Sequence, residues 1–308
     1  MKISEAIKII PQHILPHHFL SAIMYGLTRS KATYFKNFVI RTIIKIYNVD
    51  MKDAVVSDPT DYPTFNHFFT RQLKPDARPI CPGNNTIASP VDGKISQLGK
   101  IDQNRIFQAK GHNYTVEKLL GDSEMAKIFA GGEFATLYLS PRDYHRIHAP
   151  LTGKLKQMIH IPGKLFSVNS VTTEYVPELF ARNERVVTLF DTEAGPMAAV
   201  LVGAIFVSSM ETVWAGTITP PSGRKVRKWN YCPDETNGSR DSHPAQNSHP
   251  GSALDFTLNK GDELGRFNMG STVILLFPKD TMSWNKELNA GSNLVMGQEL
   301  GTINKYNP

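Results

Sequence analysis

Short runs of apolar residues recur through the middle of this 308-residue chain, and they constrain its fold more than any other feature. A buried β-strand produces a run of about four to eight such residues, whereas a helix shows a longer pattern with a period of about 3.6 residues. The runs therefore predict a β-rich body. They lie at Phe134 to Leu139, Val186 to Phe190, Met197 to Val207, Thr212 to Ile218 and Val273 to Phe277.

Two helices are predicted before this body, over residues 17 to 29 and 31 to 48, because both stretches contain few helix breakers. The second helix is largely apolar, with a narrow basic face. A helix of this kind lies in a membrane interface or packs on the protein body, and one helix can do both. The polar face contains Asn37, Arg41, Lys45 and Asn48.

Proline-containing turns mark a change near residue 58, where Asp58-Pro59 and Tyr62-Pro63 follow the predicted helices. We therefore expect an N-terminal helical region over residues 1–58 and a second unit over residues 59–308. The expected fold class is α+β, with a β-rich body that resembles a barrel or a sandwich hybrid and an amphipathic helical region before it. Residues 230 to 254 are strongly polar and predict a surface loop.

Composition and charge exclude several classes of protein. With 41% hydrophobic and 20% charged residues the chain is typical of a folded protein, and its longest apolar stretch, Ala198 to Val207, is far shorter than the roughly 20 residues of a membrane-spanning helix. The start of the chain does not resemble a secretory signal, so we expect the protein to stay in the cytoplasm.

The two cysteines, Cys81 and Cys232, are expected to be unpaired thiols. A net charge of +6 favours an anionic partner, either nucleic acid or an acidic lipid surface.

Three segments contain the residue types of a catalytic relay: Ser89 to Gly93, Ser140 to His148, and Met269 to Thr272. They provide an aspartate, two histidines and a serine. In such a relay an imidazole removes the proton of a hydroxyl, while a carboxylate fixes the tautomer of the imidazole and stabilises its charged form. The residue types alone are weak evidence, because a chain of this length contains many of each.

Gly270-Ser271 is not a hydrolase nucleophile elbow, because the pattern G-x-S-x-G is absent there and Thr272 begins an apolar strand. A glycine before the serine favours a different reaction. With no side chain at residue 270, the backbone can bend so that the hydroxyl of Ser271 attacks the preceding carbonyl group. The alternative is a simple Gly-Ser turn that leads into the following strand.

Several longer strings, in the same order and at comparable separations, closely resemble the bacterial phosphatidylserine decarboxylase proenzymes. Together they span most of residues 60 to 280, which makes the resemblance far more specific than any single tripeptide. The strings are TFNHFFTRQLKPDARPI at 64 to 80, SPVDGKISQ at 89 to 97, YLSPRDYHRIHAP at 138 to 150, PGKLFSVN at 162 to 169, VGAIFVSSMETVW at 202 to 214 and KGDELGRFNMGSTVILLF at 260 to 277.

The resemblance implies a precursor that cuts its own backbone between Gly270 and Ser271, leaving an upstream chain 1–270 and a downstream chain 271–308. Ser271 then becomes a covalent pyruvoyl group, which takes the place of pyridoxal phosphate. Its ketone forms a Schiff base with the amine of phosphatidylserine and accepts the electrons released with carbon dioxide. The implied activity is that of a carboxy-lyase of phospholipid biosynthesis, which forms phosphatidylethanolamine.

The resemblance also assigns roles to individual residues. Asp92, His148 and Ser271 form the self-cleavage relay, and His145 is the proton donor in decarboxylation. The two histidines are three residues apart, which places them on one side of a helix if the segment is helical. This H-x-x-H pair lacks an intervening glutamate and a clear third ligand, so we expect no metal.

A lipid, rather than nucleic acid, is the partner that the resemblance implies. We expect peripheral attachment to the cytoplasmic face of the cell membrane, where an anionic surface attracts the basic chain and the N-terminal helices contact acyl chains. Deletion of residues 1 to 48 is expected to impair liposome binding more than self-cleavage. The two fragments are expected to form a heterodimer, and the family implies that such units dimerise further.

The residue types alone are also compatible with two other functions. SPVDGKI resembles a turn of lipoyl-like carrier domains, and LTGKL at 151 to 155 faintly resembles a second such turn. A carrier predicts an intact chain. A serine hydrolase that uses Asp92, His148 and Ser271 on an external ester predicts an intact chain with an unmodified serine. Mass analysis of the denatured protein distinguishes both from a decarboxylase.

Overall fold

The computed structural model describes residues 3–205, 207, 209–219, 225–231, 256–268 and 271–304. Gly270, which is predicted to precede the cleaved bond, Cys232 and most of the predicted polar loop lie outside the described residues. Cys81 lies within them as a free thiol.

Eight helices occur in the described residues, and the three longest lie within the first 47 residues of the chain. The two predicted N-terminal helices are confirmed by the second and third of these, while the first, which contains Pro11, was not predicted. None of the eight has both the length and the apolar character needed to cross a lipid bilayer. The helices are α1 (Ile3–Ile14), α2 (His17–Thr28), α3 (Thr33–Tyr47), α4 (Phe65–Phe69), α5 (Val116–Leu120), α6 (Ser123–Ile128), α7 (Ser170–Tyr175) and α8 (Leu179–Arg182).

Strands contain more of the described residues than helices do, and all of the strands follow α4. They are β1 (Thr86–Ala88), β2 (Gly93–Lys100), β3 (Arg105–Ala109), β4 (His112–Thr115), β5 (Glu133–Leu139), β6 (Arg146–His148), β7 (Gly153–Ile161), β8 (Arg185–Thr192), β9 (Gly195–Val202), β10 (Met210–Thr212), β11 (Gly216–Thr219), β12 (Arg227–Asn230), β13 (Thr257–Leu258), β14 (Glu263–Phe267), β15 (Ser271–Phe277), β16 (Met282–Trp284), β17 (Asn293–Leu294) and β18 (Glu299–Ile303).

The largest sheet has nine strands in the order β12, β7, β8, β9, β15, β5, β2 and β17, with β13 also paired to β7. All of its strand pairs are antiparallel. The expected α+β class with a β-rich body is confirmed. Among the described residues the sheets are open and do not close into a barrel.

Most of the apolar runs correspond to single strands, since β5, β8, β9 and β15 lie on the runs that predict them. The run Thr212 to Ile218 is different, because it contains the end of β10, a turn and most of β11. Gly216 closes this turn with a φ of 63°, a conformation that glycine adopts far more readily than other residues. The apolar pattern located this segment correctly but did not reveal the turn within it.

Two groups of buried side chains stabilise the fold. The main core lies on the large sheet, where β15 is covered on both edges by β9 and β5 and is fully buried from Val273 to Phe277. A smaller core joins α3 to α4 and contains Ile40, Val49, Tyr62, Phe65, Phe68 and Phe69. This second core connects the N-terminal helices to the strand-rich body.

The unpredicted helix α1 is held to the body by polar contacts. The hydroxyl of Tyr175, at the end of α7, donates a hydrogen bond to Glu5 at 2.6 Å. The backbone N–H of Ser167 donates to the side-chain oxygen of Gln12 at 2.8 Å. Both contacts join residues far apart in the chain, so local sequence does not reveal them.

A four-stranded sheet has the strand order β11, β10, β14, β6, and the chain connects it to the large sheet at two places. β5 leads into β6, and β14 leads toward β15. In the large sheet β5 pairs with β15, and in the small sheet β6 pairs with β14. The connection 140–145 links β5 to β6, and the chain from Asn268 to Ser271 links β14 to β15. Each connection therefore runs from one of these strand pairs to the other.

Candidate active site

The predicted cleavage serine is the first residue of β15, in the middle of the large sheet. Its backbone lies opposite Leu139, the last residue of β5. The chain continues from Leu139 through residues 140–145 to His148 at the end of β6. The fold therefore brings the backbone of Ser271 and the segment that contains both predicted histidines to one end of the sheet.

The segment that contains Asp92 lies on the other side of β5. Gly93 begins β2, and a Cβ added there would collide with the carbonyl oxygen of Tyr138, so this close approach requires glycine. The backbone N–H of His148 donates to the carbonyl oxygen of Pro90 at 2.9 Å. Because β2 and β15 flank β5, the starts of these two strands are separated by two strand spacings, about 10 Å in all.

The carboxylate of Asp92 pairs with an arginine. Nε and Nη2 of Arg78 donate to it at 2.9 and 2.6 Å, and Nη1 of Arg78 donates to Asp53 at 2.8 Å. The backbone N–H of Met296 donates to Oδ1 of Asp92 at 2.8 Å. The relay predicts a hydrogen bond between Asp92 and His148, and none occurs in the described residues. Asp92 instead joins the upstream segment to the chain that follows Ser271.

His148 is held by two hydrogen bonds that determine its tautomer. Its Nδ1 lies 2.7 Å from the carbonyl oxygen of Gly261, which only accepts, so Nδ1 carries the proton. Nε2 is therefore the basic atom, and the hydroxyl of Tyr144 donates to it at 3.1 Å. Burial lowers the pKa of His148, and the hydrogen bond to Gly261 and the charges of Glu263 and Asp92 oppose this shift only in part. The imidazole is uncharged at neutral pH.

His145 is fully buried just before β6, in a segment that is not helical. Its Nδ1 donates to the carbonyl oxygen of Asp143 at 2.8 Å, and its ring packs on Phe69 with the ring centres 4.0 Å apart. Nε2 is buried and has no hydrogen-bond partner in the described residues. Burial, assisted by the charge of Arg71, lowers the pKa of His145 to about 3. His145 is therefore neutral in this structure, and the helical arrangement considered for the two histidines does not apply.

Sequence reasoning missed three side chains that shape the site, Arg78, Asp143 and Tyr144. Burial raises the pKa of Tyr144 to about 12, so its hydroxyl keeps the proton that it donates to His148. Burial also raises the pKa of the Asp143 carboxyl group, which accepts from the backbone N–H of Ser140 at 2.7 Å. All three lie within the strings already quoted, but spacing along a string does not show which side chains face the histidines.

The structure describes only part of the predicted scissile bond. Gly270 lies outside the described residues, and Ser271 is described by the pairing of its backbone with Leu139. The relay assigned to Asp92, His148 and Ser271, and the role assigned to His145, stay predictions. Within the described ranges, no group of three or more His, Cys, Asp or Glu side chains is arranged to hold a metal ion.

Strongly shifted pKa values are concentrated at enzyme active sites, where burial tunes groups for proton transfer. Asp143, Tyr144, His145 and His148 all have shifted pKa values for which burial is the largest cause, and they lie on one short segment. The backbone of Ser271 lies at the start of this segment. Such a group of titratable side chains on one segment is typical of an enzyme active site.

Comparison with known proteins identifies the family. The model for phosphatidylserine decarboxylase matches residues 65–302, and a second model, described as PSD, matches residues 7–48. The chain is 53% identical over 294 residues to the phosphatidylserine decarboxylase proenzyme of Azotobacter vinelandii, which covers 95% of this chain and 96% of the relative. It is 48% identical over 301 residues to that of Idiomarina loihiensis, which covers 97% of each chain. The chain belongs to the phosphatidylserine decarboxylase family, which confirms the resemblance seen in the sequence.

Proposed function

We propose that this chain is made as an inactive precursor, cuts itself between Gly270 and Ser271, and then decarboxylates phosphatidylserine to phosphatidylethanolamine. Family membership over nearly the whole chain supports the reaction. The observation that carries the proposal is the neutral, half-buried imidazole of His148, whose Nε2 is its basic atom, at the end of the sheet where β15 begins. A base of this kind is what activation of a serine hydroxyl requires.

The proposed self-cleavage uses only groups of this chain. Nε2 of His148 accepts the proton of the Ser271 hydroxyl, and the oxygen bonds to the carbonyl carbon of Gly270. The bond from that carbon to the nitrogen of residue 271 then breaks, the nitrogen takes the proton from His148, and an ester results. Loss of the Cα proton of residue 271 expels the ester oxygen, which frees the upstream chain with a carboxylate at Gly270. Water then replaces the nitrogen, which leaves as ammonia, so that residue 271 ends as a pyruvoyl group.

Asp92 takes part in this proposal through its charge rather than through a direct hydrogen bond. Burial is the main cause that lowers the pKa of His148, and the negative charge of Asp92 is among the causes that raise it. An anionic group near the imidazole stabilises the charged form that appears during proton transfer. The bond from Met296 to Asp92 also holds the downstream chain beside the base.

The start of β15 is where the pyruvoyl group is proposed to form. The hydroxyl of Thr272, the next residue, is buried and has no hydrogen-bond partner in the described residues. A ketone at residue 271 supplies an electron sink for the electrons released with carbon dioxide. The proposal therefore includes a covalent pyruvoyl group at residue 271 and includes neither pyridoxal phosphate nor a metal.

His145 is the proposed proton donor in the decarboxylation. With its pKa lowered to about 3 by burial, the imidazole is neutral and Nε2 has no proton to donate. The role therefore requires bound substrate to raise this pKa. Phosphatidylserine carries a phosphodiester and a carboxylate, and a nearby negative charge favours the protonated imidazole.

The two fragments are proposed to stay together as a heterodimer. In the downstream chain, β15 pairs with β5 and β9, β17 pairs with β2, and β18 pairs with β1. All five residues from Val273 to Phe277 are fully buried in the main core. Separation would expose this surface to water, at a cost of about 25 cal/mol for each Å² of apolar area. A further dimer of such units is part of the proposal on family grounds alone.

Attachment to the cytoplasmic face of an anionic membrane completes the proposal, with residues 1–58 as the membrane-associating region and residues 59–308 as the catalytic unit. Eleven of the eighteen large apolar side chains that are exposed in the described residues lie within the first 47 residues. On α2, Phe19, Ile23 and Leu27 are four residues apart and form an exposed stripe. An apolar stripe on a helix surface is suited to a lipid interface.

Mass analysis of the denatured, purified protein tests the proposal. We expect two fragments, the smaller one without a free amino terminus and heavier by two hydrogen atoms after borohydride reduction. A matched control is Ser283→Ala, an exposed serine in the same fragment, which should process normally, whereas Ser271→Ala should stay intact and inactive. An intact chain that decarboxylates phosphatidylserine would disprove the proposal. An intact chain without that activity would favour the hydrolase or the carrier.

A further inference from the structure

Arg71, the second residue after α4, is a buried cation with unused donors. Only 4% of its surface is exposed. Its Nη2 donates to the carbonyl oxygen of Arg142 at 3.0 Å, and its guanidinium lies 5.7 Å from the ring centre of Phe68. Nε and Nη1 are buried and have no hydrogen-bond partner in the part of the chain that the structure describes. The nearby carboxylates Asp92 and Asp143 pair with other arginines.

Another buried arginine of the same protein shows what a structural guanidinium looks like. Arg185 is 3% exposed, and its Nε, Nη1 and Nη2 donate to the carbonyl oxygens of Leu119, Asn183 and Lys118 at 2.6, 2.8 and 2.5 Å. Buried donors without partners destabilise a fold, and a buried charge does so more strongly. The contrast indicates that the remaining donors of Arg71 serve an anion rather than the fold.

Arg71 lies beside His145. Its Nη2 binds the carbonyl oxygen of Arg142, and Nδ1 of His145 binds that of the next residue, Asp143. The ring of Phe69, two residues before Arg71, packs directly on the imidazole. The Nε2 atom of His145 is likewise buried without a partner in the described residues. A cation and an imidazole nitrogen, both with unused hydrogen-bonding capacity, therefore occupy one buried neighbourhood.

We propose that Arg71 binds the phosphodiester of phosphatidylserine through Nε and Nη1, next to His145. This assignment rests on the proposed function, because the phosphodiester belongs to the substrate named there. A guanidinium forms strong, charge-assisted hydrogen bonds with phosphate oxygens. The bound anion also partly offsets the positive charge that Arg71 presents to His145.

The carboxylate of the substrate is the other anion that Arg71 could bind, and the chemistry favours the phosphodiester. The carboxylate loses its charge as carbon dioxide leaves, so an ion pair with it is stronger in the ground state than in the transition state. Such an interaction slows the reaction. The phosphodiester keeps its charge throughout, so binding it lowers the Michaelis constant without opposing decarboxylation.

Kinetics of Arg71→Lys and Arg71→Gln, made in the full chain, test the assignment. We expect both variants to process themselves and to carry the borohydride-reducible group. For phosphatidylserine in mixed micelles, KM should rise about 10-fold or more in Arg71→Gln, less in Arg71→Lys, while kcat changes little. The matched control is Arg105→Gln, which replaces an exposed arginine on β3 and should keep its KM.

Product inhibition distinguishes the two anions, because phosphatidylethanolamine keeps the phosphodiester and lacks the carboxylate. We expect its inhibition constant to rise in Arg71→Gln by about the same factor as KM. An inhibition constant that stays at the wild-type value while KM rises would assign Arg71 to the carboxylate and overturn the proposal. An unchanged KM in a processed variant would overturn it as well.

A measurement on the wild-type enzyme covers the case in which the variants do not fold. Glycerophosphoethanolamine should compete with phosphatidylserine, and ethanolamine at the same concentration should not. Equal inhibition by the two compounds, or none by either, would reject a phosphodiester site. A wild-type enzyme without activity on phosphatidylserine would instead reject the proposed function, so the two failures are distinguishable.

Discussion

Phe38 on α3 leaves 70% of its surface exposed, whereas Phe277 at the end of β15 leaves none. The difference in exposure comes from the kind of element in which each phenylalanine lies. A strand in the middle of an antiparallel sheet has partners on both edges and layers on both faces, so every residue of β15 from Val273 onward is buried. A surface helix packs on one side only. In α3, Ile40 faces the second core and Phe38 faces outward.

One face of this amphipathic helix packs on the body, as one interpretation of the sequence predicts, and the other face is exposed, where the proposed membrane contact would lie. The buried face of α3 joins α4 and completes the core beneath Phe69, the residue that packs on His145. The outward face carries Tyr34, Phe38, Arg41 and Lys45, which line one groove on the helix surface. Deletion of residues 1 to 48 would remove both faces together, so point substitutions give a clearer test.

The largest effect is expected in the body, at the proposed base. Replacing His148 by Ala should slow self-cleavage by a factor on the order of 10²–10⁴, the usual contribution of a general base. Pulse-labelled chain made by cell-free translation and separated on denaturing gels measures the rate. His112→Ala, in the hairpin of β3 and β4, is the control and should cleave normally. Normal cleavage of His148→Ala would exclude this residue as the base.

The pH dependence of cleavage tests the same group without a substitution. Burial lowers the pKa of His148, and a base is active when it is unprotonated. The cleavage rate should therefore stay above half of its maximum at pH 6.5 and should fall to half only at lower pH. A rate that is already halved at pH 6.5 would indicate an exposed, unshifted imidazole.

The next largest effect is on stability, at the buried face of α3. Replacing Ile40 by Ala should reduce the free energy of unfolding by about 2–5 kcal/mol, because it leaves a cavity in the second core. Chemical denaturation measures the change. Ile46→Ala, an exposed isoleucine of the same helix, should change the stability by no more than about 0.5 kcal/mol. Equal effects at the two positions would contradict the two-faced helix.

A smaller effect is expected on membrane binding, at the outward apolar side chains. Full burial of a phenylalanine in an apolar phase contributes about 1.5–3 kcal/mol. The change Phe38→Ala, or Phe19→Ala on α2, should therefore weaken binding to anionic liposomes by about 10-fold and leave self-cleavage unchanged. Sedimentation with liposomes measures the binding. Phe107→Ala is the control, since Phe107 is exposed on β3 of the body, and loss of binding in this variant alone would place the membrane surface elsewhere.

The smallest effect is expected from a single basic residue. A lysine or arginine close to an anionic membrane contributes about 1 kcal/mol. The change Arg41→Gln should therefore weaken binding to anionic liposomes about fivefold and should not affect binding to neutral ones. The exposed Arg105→Gln on β3 serves as the control. An equal loss on neutral liposomes would show that charge is not the reason.

Much of this molecule follows from local patterns in the sequence. The short apolar runs predict most of the strands that form the main core, and the scarcity of helix breakers predicts α2 and α3, because both signals are local. The quoted strings identify the family. They also contain Asp92, His145, His148 and Ser271, so the segments of the candidate site can be located from the sequence alone.

The contacts between separate segments could not be predicted from the sequence, and only the tertiary structure determines them. Asp92 pairs with Arg78, the tautomer of His148 is determined by Gly261, and the donors of Arg71 are left unused because the carboxylates around it have other partners. None of these pairs has a characteristic spacing in the sequence, since the fold brings together residues between 14 and 113 positions apart. The shifted pKa values have the same origin, because burial depends on how the whole chain packs around a group.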